Sequence, residues 1–596
     1  MLKKLMITLV GILAAAVLLA VLLLRQPSAP ASQAFINGNV LTMNAGNTVS
    51  EAVLIEGRHI VAVGSNALIR QQINSDTVVH DLRGKTLIPG FIDAHGHFPG
   101  SSLAKLNVDL NSPPIGVIKD IDGLIEALQQ KAATTGRGEW ILGVSYDDTS
   151  LAEHRHPTRA ELDRALPDHP VFLWHISGHM GVANSAALRA AGIDESTPNP
   201  DGGVYVKDPL SGQLTGLLEE NATMVIQAMA MDFSVFDFLK MTRHAAAEYA
   251  AAGVTTAQSG ATARQMARGL QLASTLGMVP MRLELWPLFD DFGPQLLDGS
   301  VDAATLESAT ISVGAIKIIA DGSIQGYTGY LSKPYHQPFH GDEDYRGYPR
   351  IPKSTLNQWV QQYHAAGHQL AIHGNGDAAI DDILQAIELA QQAHPRADSR
   401  HIIVHAQMAR DDQLDKMKTL GVSPSFFVAH TYYWGDRHRE IFMGPKRAAR
   451  MSPTASALAR QLPFTIHLDT PVVPMDPLFL VWTAVNRISS SGQVIGSAER
   501  IDTLAALRAV TIDAAWQIFQ EHNRGSIETG KYADLVVLSD NPVARPETVK
   551  DISVELTMVG GRIIFASEAF STETSATETL STETFPIETR KSADRQ

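Results

Sequence analysis

Ile88-Pro89-Gly90-Phe91-Ile92-Asp93-Ala94-His95-Gly96-His97 is the stretch on which the fold turns. An apolar run enters through Pro-Gly and ends in two histidines separated by one glycine. In extended chain, residues two apart point to the same side. His95 and His97 therefore present both imidazoles to one point, and Gly96 leaves room between them. Neutral imidazoles suit zinc and other divalent transition metals. A His-x-His pair alone is a weak signal, and its place at the end of an apolar strand strengthens it.

Further strands close in the same way. Leu370-Ala371-Ile372-His373 and Ile402-Ile403-Val404-His405 each put one histidine at the C-terminal end of an apolar run. Phe464-Thr465-Ile466-His467-Leu468-Asp469 ends in a carboxylate, which either binds a metal and takes a proton from water or caps the next turn. Ala315-Ile316-Lys317-Ile318-Ile319-Ala320-Asp321 holds a lysine inside an apolar strand, which is costly unless the amine is paired or neutral. A salt bridge is one solution. A neutral amine is the other, and it can take up carbon dioxide as a carbamate that bridges two metals.

Eight candidate barrel strands follow: 87–95, 253–259, 281–286, 315–321, 369–373, 401–405, 422–428 and 464–469. Helical stretches such as 359–366 and 378–392 fall between some of them. Eight alternating units predict an α/β fold with a (β/α)8 TIM-type barrel, whose sites lie at the C-terminal strand ends. The barrel is expected over 87–524, with an insertion at about 100–250 that breaks the alternation. The insertion carries a helix at 121–133, a strand at 140–144, the apolar run at 171–174 and a Gly-rich turn at 201–203. Trp174 and His179 lie within it and either shape the pocket or serve packing.

Short strands at 35–86 find their partners at 525–566, where runs such as Leu535-Val536-Val537-Leu538 recur. Neither group is large enough to be stable alone, so a small discontinuous β-sandwich domain built from both chain ends is expected. Lys3 and Lys4 precede an uncharged run from Leu5 to Leu24, followed by a linker at 27–34. A run of roughly 20 apolar residues can span a bilayer. Residues 1–26 are thus expected to be an N-terminal membrane helix, with the catalytic body exported. Secretion after cleavage of a signal segment is the alternative. The near-repeat tail at 567–596 is expected to be disordered.

Composition narrows the functions. With 48 basic and 63 acidic residues the formal charge is −15, which argues against a nucleic-acid partner. The chain has no cysteine, which excludes disulfides, thiolate nucleophiles and Cys-zinc sites.

Several of these stretches occur in an order that resembles the amidohydrolase superfamily, in the YtcJ-like branch that includes N-substituted formamide deformylases. They are the strand ending at His97, Ser177-Gly178-His179, Gly216-Leu217-Leu218-Glu219-Glu220-Asn221-Ala222, the Lys317 to Ser323 stretch, His373-Gly374-Asn375-Gly376-Asp377, His405-Ala406-Gln407, Asp469-Thr470-Pro471 and the stretch from Gly525 to Val536. The resemblance runs from about Phe35 to Phe565. It implies that His95, His97 and Asp469 hold one metal and that His373 and His405 hold a second. Lys317, carboxylated, would be the bridging ligand. Zinc is the first expectation, with one or two ions. Glu220 would be a ligand or a substrate-site residue, and His179, Trp174, Asp321 and Tyr327 are further substrate-site candidates. Tyr327 stands where relatives often have Arg, so specificity does not transfer from them.

The implied activity is hydrolysis of an amide-like, non-peptide C–N bond of a small-molecule substrate. Asp469 would serve as general base and then general acid. A mononuclear deaminase or other hydrolase on the same barrel is one alternative, and an inactive anchored binding protein is another. A homodimer is among the assemblies the sequence leaves open.

Overall fold

The computed structural model describes residues 29–570. The apolar run at 5–24 and the tail from 571 onward lie outside the described residues, and with them the expected membrane helix. Among the described residues, no single helix is long and apolar enough to cross a membrane.

Two sheets pack face to face, and one of them is built from both chain ends. One has four strands in the order His59–Gly64, Ala52–Glu56, Ser32–Ile36 and Thr77–Asp81. The other has six, running Arg562–Ala566, Val554–Val559, Leu535–Leu538, Thr86–Pro89, Asn39–Leu41 and Val49–Ser50. Leu535–Leu538 pairs antiparallel with Thr86–Pro89, and this is the seam between the N-terminal and C-terminal segments. Phe35, Val53, Ile55, Leu87, Leu535, Val537 and Met558 fill the space between the sheets. The chain stays packed past 566, where the sequence expects the tail to begin: the Phe570 ring is buried in this core, 6.3 Å from that of His80.

The expected strand at 87–95 is two strands with different partners. Thr86–Pro89 belongs to the chain-end sheet, whereas Phe91–Ile92 pairs with Val254–Thr262 in a parallel sheet. Gly90 is the pivot. Its N–H donates to Asp534 O, and the next N–H, of Phe91, donates to Gly253 O. A Cβ at Gly90 would lie 2.1 Å from Thr255 Cγ2, so only glycine fits. Pro89 has no N–H with which to continue a ladder.

Two parallel sheets carry the remaining strands. One is ordered Ile311–Val313, Arg282–Pro287, Val254–Thr262 and Phe91–Ile92; the other runs Ile316–Ile319, Leu370–Gly374, Ile402–His405, Ser423–Phe426 and Thr465–Ile466. They meet at both edges. Leu288 bridges Lys317 on one side. On the other, Asp469 N donates to His95 O (3.1 Å) and His97 N donates to Thr470 O (2.7 Å). The expected strand at 315–321 is found as Ile316–Ile319; a separate short strand, Ile311–Val313, precedes it in the other sheet, with Gly314 and Ala315 between them. Helices cover the outside, as parallel strands require. In Asp377–Ala393, Ile380, Ile383, Leu384 and Ile387 form the buried stripe, at helical spacing.

The insertion has its own six-stranded sheet, in the order Gly203–Lys207, Leu214–Glu220, Met180–Ala183, Val171–His175, Ile141–Tyr146 and Val108–Asp109. Alternation sends Phe172 to one face and Leu173 to the other, and each face has its own core. Asp147 fastens the insertion to the body, accepting hydrogen bonds from Trp434 Nε1 (3.0 Å) and Arg437 Nη1 (2.9 Å).

Candidate metal centre

His95, His97, Lys317, His373, His405 and Asp469 come from five separate stretches of chain and meet where the two parallel sheets join. Asp469 lies between three imidazoles: Oδ1 is 3.1 Å from His97 Nε2 and 3.5 Å from His95 Nε2, and Oδ2 is 3.8 Å from His405 Nε2. The His373 and His405 rings are 4.6 Å apart. Lys317 Nζ is 3.0 Å from His95 Nε2. His97 is the accessible member, with 36% of its side chain exposed, whereas His95, His373 and His405 are buried.

The imidazoles are aimed by what holds their Nδ1 atoms. His95 Nδ1 meets Gln258 Oε1 at 2.9 Å, and the Gln258 amide is itself fixed by donating to Ala94 O. His373 Nδ1 meets Asp321 Oδ1 at 3.0 Å. His405 Nδ1 meets His467 Nε2 at 3.1 Å, and His467 Nδ1 meets Ser425 Oγ at 2.8 Å. An acceptor at Nδ1 receives the hydrogen bond of Nδ1–H, fixing the ring proton there and leaving the Nε2 lone pair for a cation, as metal-binding histidines require. Trp286 stacks on His95 at 5.4 Å and fixes the plane of its ring. His405 and Asp469 both have left-handed backbone, with φ of 71° and 56°. Strain of this kind in non-glycine residues gathers at functional sites.

Electrostatics favour the same set of protonation states. Burial, with neighbouring cationic groups, pushes His95, His373 and His405 well below the ordinary imidazole value, so they are neutral. Burial brings the Lys317 amine down to about 7. Burial alone would raise the Asp469 carboxyl, but His97, His95 and His405 hold it well below its ordinary value. Three neutral imidazoles and a neutralisable amine beside an ionised carboxylate form a donor set that fits a divalent cation. His95, His405 and Asp469 each offer a ligand atom, all within 4.8 Å of one another.

The other candidates are placed as follows. Asp321 does not face a substrate: Oδ1 is occupied by His373 and the Asn375 N–H, and Oδ2 by the N–H groups of Tyr330 and Gly376. Its work is to hold His373. His179 and Glu220 arrive from the insertion, the His179 ring lying 5.0 Å from that of His373. Tyr327 joins an aromatic patch, 4.8 Å from Tyr335, 4.6 Å from Phe339 and 5.0 Å from Phe442. Trp174 is not among the residues brought together; it packs against the insertion's own core.

Sequence reasoning missed His467, Gln258 and Trp286. His467 was within reach, because it precedes Asp469 by two residues and an extended strand turns both to one side. Gln258 and Trp286 carried no local signal. A second group, Asp147, Asp148 and His175, has similarly close ligand atoms. The Asp147 oxygens are already taken by Thr149, Ser150, Trp434 and Arg437, which makes it a fastening between insertion and body.

The chain is similar to the N-substituted formamide deformylase of Arthrobacter pascens, 31% identical over 535 residues, covering 88% of this chain and 97% of the relative. It is similar to protein YtcJ of Bacillus subtilis (strain 168), 28% identical over 544 residues, covering 89% and 98%. Among solved structures it shares its fold with an uncharacterized metal-dependent hydrolase from Pyrococcus horikoshii OT3, with a TM-score of 0.68, 24% identity and coverage of 87% and 99%. The model of the Amidohydrolase family matches residues 78–565, and the chain belongs to that family.

Proposed function

We propose that this protein is a metal-dependent hydrolase that cleaves an amide-like, non-peptide C–N bond in a small molecule. The observation that carries the reading is the position of Asp469, ionised and buried, in contact with three imidazoles and facing Lys317 across His95. On this reading the two parallel sheets form one closed (β/α)8 barrel, and the site occupies the C-terminal ends of its strands. His95, His97 and Asp469 would hold one divalent ion, zinc by donor type, and His373 and His405 a second. Lys317, if carboxylated, would supply a further anionic ligand. Bound there, such ions supply Lewis acidity and lower the pKa of coordinated water.

The chain's own residues supply proton transfer and orientation. Asp469 takes the proton from the attacking water and returns it to the leaving nitrogen, one carboxylate acting in turn as base and acid. His95 and His373 are held rigid by Gln258 and Asp321, so the site needs no reorganisation during the reaction. Similarity to a deformylase of N-substituted formamides makes N-formyl and N-acyl amines the first substrates to try.

The test is turnover of a panel of N-formyl and N-acyl amines by metal-loaded protein, read as amine release, beside the chelated protein. Release that depends on metal is the expected result. Release that survives complete metal removal, or its absence across the whole panel in metal-loaded protein, would overturn the reading. The run from Leu5 to Leu24 supports a tethered enzyme with an exported body. The full chain should then sediment with membranes, and a chain starting at residue 29 should not.

A further inference from the structure

The insertion brings its own histidine to the cluster, and the way it is held matches the other three. Met180–Ala183 and Leu214–Glu220 run antiparallel, with Met180 opposite Glu219. At the end of this pair Glu220 N donates to His179 O at 2.7 Å, so His179 and Glu220 face each other. Glu220 Oε2 lies 2.8 Å from His179 Nδ1. The Glu220 side chain is fully buried, with Arg350 Nη1 3.9 Å away. Its Oε1 atom is buried without a hydrogen-bond partner.

Two features show that this arrangement is built at a cost. Glu220 adopts φ 49° and ψ −123°, a backbone conformation that disfavours every residue but glycine. Gly322 is also required: a Cβ there would lie 2.0 Å from Glu220 Oε1. A histidine that merely packed would need neither a strained backbone nor a buried carboxylate. The tether on Nδ1 is the one found on His95, His373 and His405, where Gln258, Asp321 and His467 play the part of Glu220. With Nδ1 engaged, His179 keeps Nε2 free, on a ring 5.0 Å from that of His373.

We infer that His179 is a further ligand of the metal centre, delivered by the insertion to the ion held by His373, with Glu220 as its positioning residue. The inference rests on the metal-hydrolase reading above. It makes the insertion part of the site, so the donor set is complete only when the insertion is docked.

The test uses the full chain, titrated with Co2+ and with Zn2+ against a competing chelator, and reads ions per chain, affinity and the Co2+ visible spectrum. His179→Ala should weaken one ion at least about tenfold and change the Co2+ spectrum, leaving the ion beside Asp469 in place. Glu220→Gln should weaken the same ion about 10- to 100-fold, the usual cost of losing a group that orients a ligand. His179→Asn is the second variant should alanine unfold the insertion, with folding followed by circular dichroism. Unchanged affinity and spectrum in a folded His179 variant would overturn the inference and leave the hydrolase reading standing. A wild-type chain that binds no divalent ion would overturn both, and the wild-type sample alone tells the two failures apart.

Discussion

Lys317 Nζ lies 3.0 Å from Nε2 of His95, and both side chains are buried. A permanent positive charge at that spot would crowd the His95 nitrogen and carry a burial cost that the Asp469 carboxylate offsets only in part, whereas a neutral amine can donate to that nitrogen or become a carbamate. This separates three side chains of similar length. Lys317→Met removes the amine and its desolvation cost, so the fold should survive with an unchanged or raised melting temperature while metal per chain falls. Lys317→Arg installs a guanidinium that does not deprotonate in proteins, and it should cost about 3–5 kcal/mol of stability as well as the metal. Metal analysis and thermal melting check both. A Lys317→Met chain with normal metal content would end the bridging role.

Asp469→Asn keeps the size of the side chain and removes its proton-accepting charge. Turnover of any substrate found should fall by about 10²-fold or more, the usual worth of a positioned general base. At least one ion should remain, because His95, His97 and His405 are untouched. Near-normal turnover in this variant would remove Asp469 from the proton-transfer role.

Asp147 fastens the insertion to the body and should be silent toward metal. Burial opposes its charge, but Arg437 and His175 hold the carboxyl below the ordinary range. Asp147→Asn breaks a buried pair with Arg437 and should cost about 3 kcal/mol, with faster proteolysis in the insertion. Metal content should match wild type. A drop in ions per chain would instead make Asp147, Asp148 and His175 a second metal site.

Glu284 sets a pH dependence of stability. It precedes Trp286 by two residues on one strand, and burial raises its carboxyl to about 7 from 4.5, although Arg524 works against the shift. The folded state therefore binds a proton that the unfolded state has lost. Its contribution is present in full below about pH 4.5, falls as pH rises toward 7 and is constant above that. At about 1.4 kcal/mol per unit, the loss is about 3 kcal/mol. Glu284→Gln removes this titration. Urea unfolding at pH 5 and pH 8 should show a difference between the two pH values that is smaller in the variant by about that amount. An identical difference in both proteins would show that Glu284 is ionised throughout.

Much of this architecture was legible from local sequence. Strand positions, the insertion and the union of both chain ends follow from alternation, apolar runs and turn residues, which depend only on neighbours along the chain. The histidines at the ends of Ile402–His405 and, one residue before its last, of Leu370–Gly374, and the His-x-His pair, were readable for the same reason. The division of 87–95 at Gly90 was not. It depends on Asp534 and Gly253, which compete for adjacent backbone groups from opposite directions.

The orientation of each ligand also lay beyond the sequence. Gln258, Asp321, His467 and Glu220 act across 163, 52, 62 and 41 positions of chain. No periodicity links residues at such separations. The sequence by itself determined which side chains can bind a cation and which strand ends carry them, because those properties are local. Which nitrogen each imidazole presents, and how far the Lys317 amine is pushed below its ordinary value, depend on burial and on hydrogen bonds between distant segments, which exist only once the chain has folded.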